Sequence, residues 1–244
     1  MSIFIRLKIF AAFLLLSNYG LAQVVVRHEG AKDPELQGFS LASVGYPLVG
    51  GVMGQDGYDA WFTQSRTTSE FISYRYFFGG DESESAMQLG FSISAKARFA
   101  ELSDDSKMLL MLRTDGKRFY LWLTATTAGN LLIGGDGLAP FTYEVDPFSY
   151  HDYALVYEAA SHTAAFWING SPIATLGGFS HTSPTPVLAQ FGNSAESITH
   201  TYWHQVTVAI IPEPAAVAFW GGLGALLSVF GMRRFRAGRA STSC

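Results

Sequence analysis

Six histidines, 20 carboxylates and one cysteine are the groups in this 244-residue chain that could do acid–base, nucleophilic or metal chemistry, and their spacing decides what is open to it. Glycoside hydrolysis needs two carboxylates held several ångströms apart, one as acid and one as base or nucleophile. The densest acidic segments, Asp81-Glu82-Ser83-Glu84 and residues 101–105, fall between stretches that read as strands, where charge means a solvated loop. No Gly-x-Ser-x-Gly elbow is present to present a serine nucleophile. His28, His151, His162, His181, His200 and His204 are scattered. His200 and His204 have an even spacing that puts both on one face of a strand, but no third ligand or supporting carboxylate accompanies them. They read as a polar face, and His151 as the anchor of a strand start. Cys244 is the one cysteine in the sequence, which excludes an intramolecular disulfide or a zinc–thiolate site. Aromatic faces against sugar rings are the remaining chemistry, with Tyr74, Tyr76, Trp122, Tyr143, Trp167 and Trp203 as candidates. Most lie inside strands, and Trp61, Trp167 and Trp203 are expected in the core, because about half of strand positions in a two-sheet sandwich face inward.

The elements that would position these groups are short strands. The clearest is 91–99, where Phe91, Ile93, Ala95, Ala97 and Phe99 alternate with Ser92, Ser94, Lys96 and Arg98, as a half-buried antiparallel strand requires. Further candidates are 71–78, 107–113, 118–125, 130–133, 153–157, 164–168, 187–191 and 202–211. Turn signals separate them at Asp115-Gly116, Gly134-Gly135-Asp136-Gly137, Asn169-Gly170 and Gly177-Gly178. A short helical turn near 82–88 is the one competitor. Strands at this density predict an all-β sandwich.

The two ends read as addresses. Arg6 and Lys8 precede the apolar run 9–16, too short to span a bilayer, and Gly20-Leu21-Ala22 supplies small residues before Gln23, the pattern of a signal peptide over 1–22. At the other end Pro212-Glu213-Pro214 is followed by an uncharged stretch, 215–232, long enough for a transmembrane helix, and by Arg233, Arg234, Arg236 and Arg239 in a basic tail, 233–239. Of the 16 Lys and Arg, two lie in the leader and four in the tail, leaving ten against all 20 acidic residues and a charge near −10 between the leader and the basic tail. Such a domain is a poor partner for nucleic acid, whose binding depends on neutralising phosphates.

The Pro-Glu-Pro triplet, apolar span and arginine-rich end together resemble the PEP-CTERM sorting signal of Gram-negative bacteria, over 212–240. The resemblance implies recognition by an exosortase after signal peptidase has acted, export to the cell envelope or extracellular matrix, and anchorage in the inner membrane through the C-terminal helix before any processing. Within 23–211, His151-Asp152-Tyr153-Ala154-Leu155-Val156-Tyr157 followed by Ala164-Ala165-Phe166-Trp167-Ile168-Asn169-Gly170 resembles a hairpin of LamG-like, concanavalin A-like jelly rolls. Ala60-Trp61 and the closing strand with Trp203 and Val206 to Ala209 fit the same order. Hydrolases of that fold commonly carry their carboxylates on one strand as Glu-x-Asp-x-x-Glu, which this sequence lacks, so the resemblance implies a non-catalytic module binding polysaccharide or an envelope protein. A carbohydrate-active enzyme with acid and base on separate loops, or a purely structural matrix component, is the alternative. LamG-like domains often bind calcium at a loop rim. Asp56 and Asp59 around Gly57, and Asp136 in a second glycine-rich loop, are the candidate ligands, well short of the six to eight oxygens required. No other cofactor is implied.

Overall fold

Alternation of apolar and polar side chains organises the chain as expected, into strands that hide one face each. In the computed structural model, residues 22–101, 106–181, 185–194 and 198–211 are described, almost all of them in one compact unit, Val24–Ile210. Residues 1–21 of the expected signal peptide and the whole of the expected sorting signal, including Pro212, Glu213, Pro214, Arg233, Arg234 and Arg236, lie outside the described residues. Among those described, no helix is long and apolar enough to cross a membrane.

The strands in the first half are β1 (Gln23–Glu29), β2 (Ser40–Val44), β3 (Leu48–Gln55), β4 (Tyr58–Ser65), β5 (Phe71–Phe77), β6 (Phe91–Phe99), β7 (Met108–Arg113) and β8 (Lys117–Ala125). Those in the second are β9 (Leu131–Gly135), β10 (Leu138–Tyr143), β11 (His151–Glu158), β12 (Thr163–Ile168), β13 (Ser171–Leu176), β14 (Phe179–Ser180), β15 (Leu188–Asn193) and β16 (Thr199–Ile210). A first sheet runs β13-β12-β11-β6-β16-β4-β3 with β1 added to β16, and a second runs β10-β9-β8-β7-β15-β5-β2 with β14 added to β8. The pairings are antiparallel, and the architecture is an all-β, two-sheet arrangement consistent with a jelly-roll sandwich.

The core lies between the sheets. Phe91, Ile93, Tyr153, Leu155, Phe166, Trp203 and Val208 from the first face Ile72, Tyr74, Leu110, Phe119, Leu121 and Phe191 from the second, all 0 or 1% exposed. Rings from the two sheets meet at Phe191–Trp203 (centroids 5.0 Å apart), Phe119–Tyr157 (5.5 Å) and Phe78–Phe91 (5.0 Å). A buried polar knot also ties the sheets. Asn193 of β15 donates through Nδ2 to the carbonyls of Thr63 (3.1 Å) and Thr199 (2.9 Å), and its Oδ1 accepts from the hydroxyls of Thr63 (2.9 Å) and Thr201 (2.8 Å). Trp203 Nε1 donates to Thr63 Oγ1 at 3.0 Å, so each of these buried polar groups is matched, as burial demands.

Three expectations need correction. The turn near 82–88 is a ten-residue helix, α1 (Gly80–Leu89), whose first turn holds Asp81 and Glu82 where the helix N-terminus favours negative charge. Gly134 and Gly135 belong to β9, and the turn is Asp136-Gly137 alone; a Cβ at Gly134 would sit 2.2 Å from the Trp122 ring, so the glycine makes room for a neighbouring strand's side chain. Trp167 does not enter the core: Phe166 and Ile168 point inward, and the pleat leaves Trp167 half-buried on the outer side, unlike Trp61 and Trp203, which are buried.

Candidate functional site

The polar side chains of the first sheet converge on its outer face, where a local irregularity gathers them. Along β16 the partners on β6 skip from Trp203↔Ala97 to Gln205↔Lys96, so His204 is an extra, unpaired residue, a β-bulge. Its carbonyl accepts from Gly30 N–H at 2.8 Å, which pins the segment after β1 beside it. The bulge turns two consecutive residues, His204 and Gln205, toward the same open cleft. That cleft of about 780 Å³ is also lined by Glu29, Lys32, Tyr58 and Asp59, from the end of β1, the loop behind it and the start of β4. A further device opens it: a Cβ at Gly51 would lie 2.2 Å from the Ala31 carbonyl oxygen, so only glycine lets that loop cross β3.

Tyr58 is the centre of the cluster beside the cleft. Its hydroxyl accepts from Lys96 Nζ at 3.0 Å, a bond that raises the Lys96 pKa, and the ammonium lies 4.4 Å from the ring centroid. The Tyr58 ring meets Tyr150 at 4.8 Å and His204 at 4.6 Å, and His204 Nδ1 is 2.8 Å from the Asp59 carbonyl oxygen. Behind it, Arg98 is only 5% exposed although it points outward: Tyr202 and Tyr150 stack on it at 4.5 and 5.4 Å, and Asp56 closes the ion pair at 2.5 Å. Burial raises the Tyr150 pKa, opposed by the neighbouring guanidinium. This arrangement offers an aromatic ring, an imidazole, an amide and carboxylates to an open cleft. That set can hydrogen-bond hydroxyls and pack against a sugar face.

The calcium candidates are placed apart. Asp56 and Asp59 flank the β3–β4 turn, but Asp56 is bound to Arg98, and Asp59 Oδ1 accepts from Gly54 N–H at 2.9 Å. Asp136 belongs to the second sheet, where Arg118 grips it in a fork at 2.8 and 3.0 Å and Tyr120 N–H adds a third bond. Each carboxylate already serves a donor, and among the described residues no three His, Cys, Asp or Glu converge as metal ligands. This donor set does not fit a calcium ion.

His200 and His204 do share one outer face but not one site. His200 lies 3.7 Å from Glu101 and against Phe62 and Tyr202, and burial lowers its pKa. His151 fastens the start of β11, with Nε2 2.7 Å from the Asp146 carbonyl oxygen and Nδ1 accepting from the Asn169 amide at 2.9 Å. Of the aromatic residues expected as candidates for sugar binding, Tyr74 and Trp203 are buried, while Tyr76, Trp122, Tyr143 and Trp167 are half-buried. Tyr58, Tyr150 and Tyr202, which build the cluster, were not among those candidates. Their signal in the sequence is faint, because Tyr150 comes from a loop and Tyr58 opens a strand.

No protein-family model and no curated protein matches the sequence. Solved structures do match the fold. A carbohydrate esterase from the Shiga toxin-encoding bacteriophage phi24B aligns with a TM-score of 0.52 and 16% identity over 78% of this chain and all of that one. The binding domain of botulinum neurotoxin DC, solved with rat synaptotagmin II, aligns at 0.50 and 10% identity over 81% of this chain. A sialidase aligns at 0.50 and 11% identity over 76%. The chain spans 51% of the toxin domain and 18% of the sialidase. At these identities the likeness is one of fold, and it includes both enzymes and a binding domain.

Proposed function

We propose that this chain is a non-catalytic, glycan-binding module of the LamG-like type, exported by its leader and sorted to the envelope or matrix of a Gram-negative bacterium by its C-terminal signal. The observation that carries the reading is the bulge-built cleft, in which Tyr58, His204 and Gln205 stand beside Glu29, Lys32 and Asp59. Sugar recognition calls for this mixture of an aromatic surface and hydrogen-bonding groups. The LamG-like assignment is supported by the β11–β12 hairpin: Tyr153, Leu155 and Tyr157 face inward, and the left-handed Asn169 and Gly170 (φ 49° and 76°) close the turn that the motif requires. Export, exosortase and signal peptidase enter through the sequence of the two ends. The binding reading needs no metal ion.

A second reading, a carbohydrate-active enzyme, rests on Glu29 and Asp59 lining one cleft from separate elements. Both carboxylates hold partners within the chain, Glu29 with Arg27 at 3.1 Å and Asp59 with Gly54 N–H, which favours recognition over proton transfer.

The test is a glycan array and polysaccharide pull-down with the purified full-length chain, its Tyr58→Ala and His204→Ala variants, and added chelator. Saturable binding that both variants lose and the chelator leaves intact is the expected result. Binding to no glycan overturns the reading, and release of reducing sugar or acetate from a bound polymer replaces it with the enzyme.

A further inference from the structure

The outer face of the second sheet carries a feature that the cleft does not explain. Cross-strand register sets one row of side chains in line across five strands: Phe77 of β5, Leu188 of β15, Arg113 of β7, Arg118 of β8 and Phe179 of β14. At a strand spacing of about 4.8 Å the row is roughly 19 Å long. Its two ends are exposed phenylalanines, Phe77 at 43% and Phe179 at 60%, and its middle is two guanidiniums on directly opposite residues. Arg75 stands one row away, across β15, with Gln190 and Met111 beside it in register.

Like charges placed opposite each other in a sheet destabilise it. Arg118 has its answer in Asp136. Among the described residues, no carboxylate pairs with Arg75 or Arg113. Each hydrogen-bonds through Nε, Arg75 to Gln190 Oε1 at 3.0 Å and Arg113 to the Pro186 carbonyl at 3.3 Å, and Arg75 also lies 5.9 Å from the Phe71 ring centroid; among the described residues the terminal nitrogens of both forks make no ion pair. Burial and the neighbouring Arg75 and Arg118 lower the Arg113 pKa, a mark of cations crowded together. The floor beneath is firm: Leu109, Met111 and Leu188 are 1, 8 and 1% exposed, with Phe71 and Tyr120 packed on them. In a stretch whose charge is near −10, two guanidiniums without a carboxylate partner, Arg113 in the row and Arg75 beside it, on a fixed floor between apolar rings, are matched by a ligand that is anionic, extended and partly apolar.

We propose that this row is a binding track for an extended carboxylate-bearing polysaccharide, separate from the cleft of the first sheet. The guanidinium forks take the carboxylates, which they fit in paired hydrogen bonds, and Phe77 and Phe179 take the C–H faces of sugars at either end. Tethering of both arginines lowers the ordering cost of binding.

The probe is polygalacturonic acid, compared with its fully methyl-esterified form, which keeps the sugar backbone and removes the charge. Full-length chain is titrated with each and followed by calorimetry. Saturable binding of the acid form that weakens with salt, no binding of the ester, and at least about a tenfold loss in Arg75→Gln/Arg113→Gln are expected. Arg27→Gln, which removes one charge outside the row, retains wild-type affinity, whereas Arg113→Gln does not. Equal loss in Arg27→Gln, equal binding of the ester or absence of saturable binding each overturn the proposal. Should the arginine variants misfold by circular dichroism, the exposed Phe179→Ala decides: unchanged affinity overturns the track and a severalfold loss supports it.

Discussion

The two outer faces of this sandwich treat their cations differently. On the first sheet Lys96 meets the Tyr58 hydroxyl and ring, and Arg98 is enclosed by Asp56, Tyr150 and Tyr202. On the second sheet Arg118 has Asp136, while Arg75 and Arg113 keep their terminal nitrogens outside any ion pair among the described residues. An enclosed cation acts as a strut, because removing it undoes packing. A cation tethered but unanswered contributes little to the fold and is free to answer something else. The contrast therefore predicts that equivalent substitutions on the two faces separate stability from binding.

The largest effect is expected where the faces are joined. Asn193→Ala removes four hydrogen bonds to Thr63, Thr199 and Thr201 inside the core and should cost about 3 kcal/mol in urea unfolding followed by tryptophan fluorescence. A cost under about 1 kcal/mol would mean that the sheets do not depend on the knot.

Next comes the comparison itself. Arg98→Met should destabilise by about 1–2 kcal/mol through lost stacking, a modest figure because Asp56, 60% exposed, returns to water when its partner goes. Arg113→Met should change stability by no more than about 0.5 kcal/mol in either direction, since its removal also relieves repulsion by Arg75 and Arg118. Equal costs on the two faces would erase the distinction.

The smallest effect is in pH. His28 is fully buried under the cleft side of the first sheet, with Nδ1 2.6 Å from Gln37 Oε1 and Nε2 3.3 Å from the Trp203 carbonyl oxygen. Burial lowers its pKa below the ordinary 6.5, with His204 adding repulsion, and the hydrogen bonds and Asp33 oppose the shift. The unfolded chain then binds the proton first, so stability is lost as pH falls through 6.5 toward the folded value. Between about pH 7 and about pH 6 this amounts to at most roughly 0.7 kcal/mol, and His28→Gln should flatten that segment of the stability profile.

Much of the scaffold was legible because burial writes itself into a strand with period two. Strand β6 matches its expected bounds, 91–99, and the Asn169-Gly170 turn adopts the left-handed conformation its residues favour. β3 went unseen because Leu48-Val49-Gly50-Gly51-Val52-Met53-Gly54 has no polar alternation, its composition being set by a loop that crosses it. Trp167 was misassigned for a related reason: the pleat says which residues share a face, and a tryptophan's size does not say which face is inside. The sites were less legible still. His204 and Gln205 reach one cleft through a bulge that no local pattern announces, and Arg113, which meets Arg118 across the β7–β8 hairpin, approaches Arg75 only through β15, a strand more than 70 residues further along.

The placement of β16 also sets how the domain bears load. This strand lies inside the first sheet, laddered to β6 from Thr201 to Ile210 and to β4 from Thr199 to Trp203, with β1 also paired to it. A pull on Ile210 along the strand would strain many hydrogen bonds together in shear, where an edge strand would peel open one bond at a time. A tether attached there would be held by a strand bonded along both of its edges.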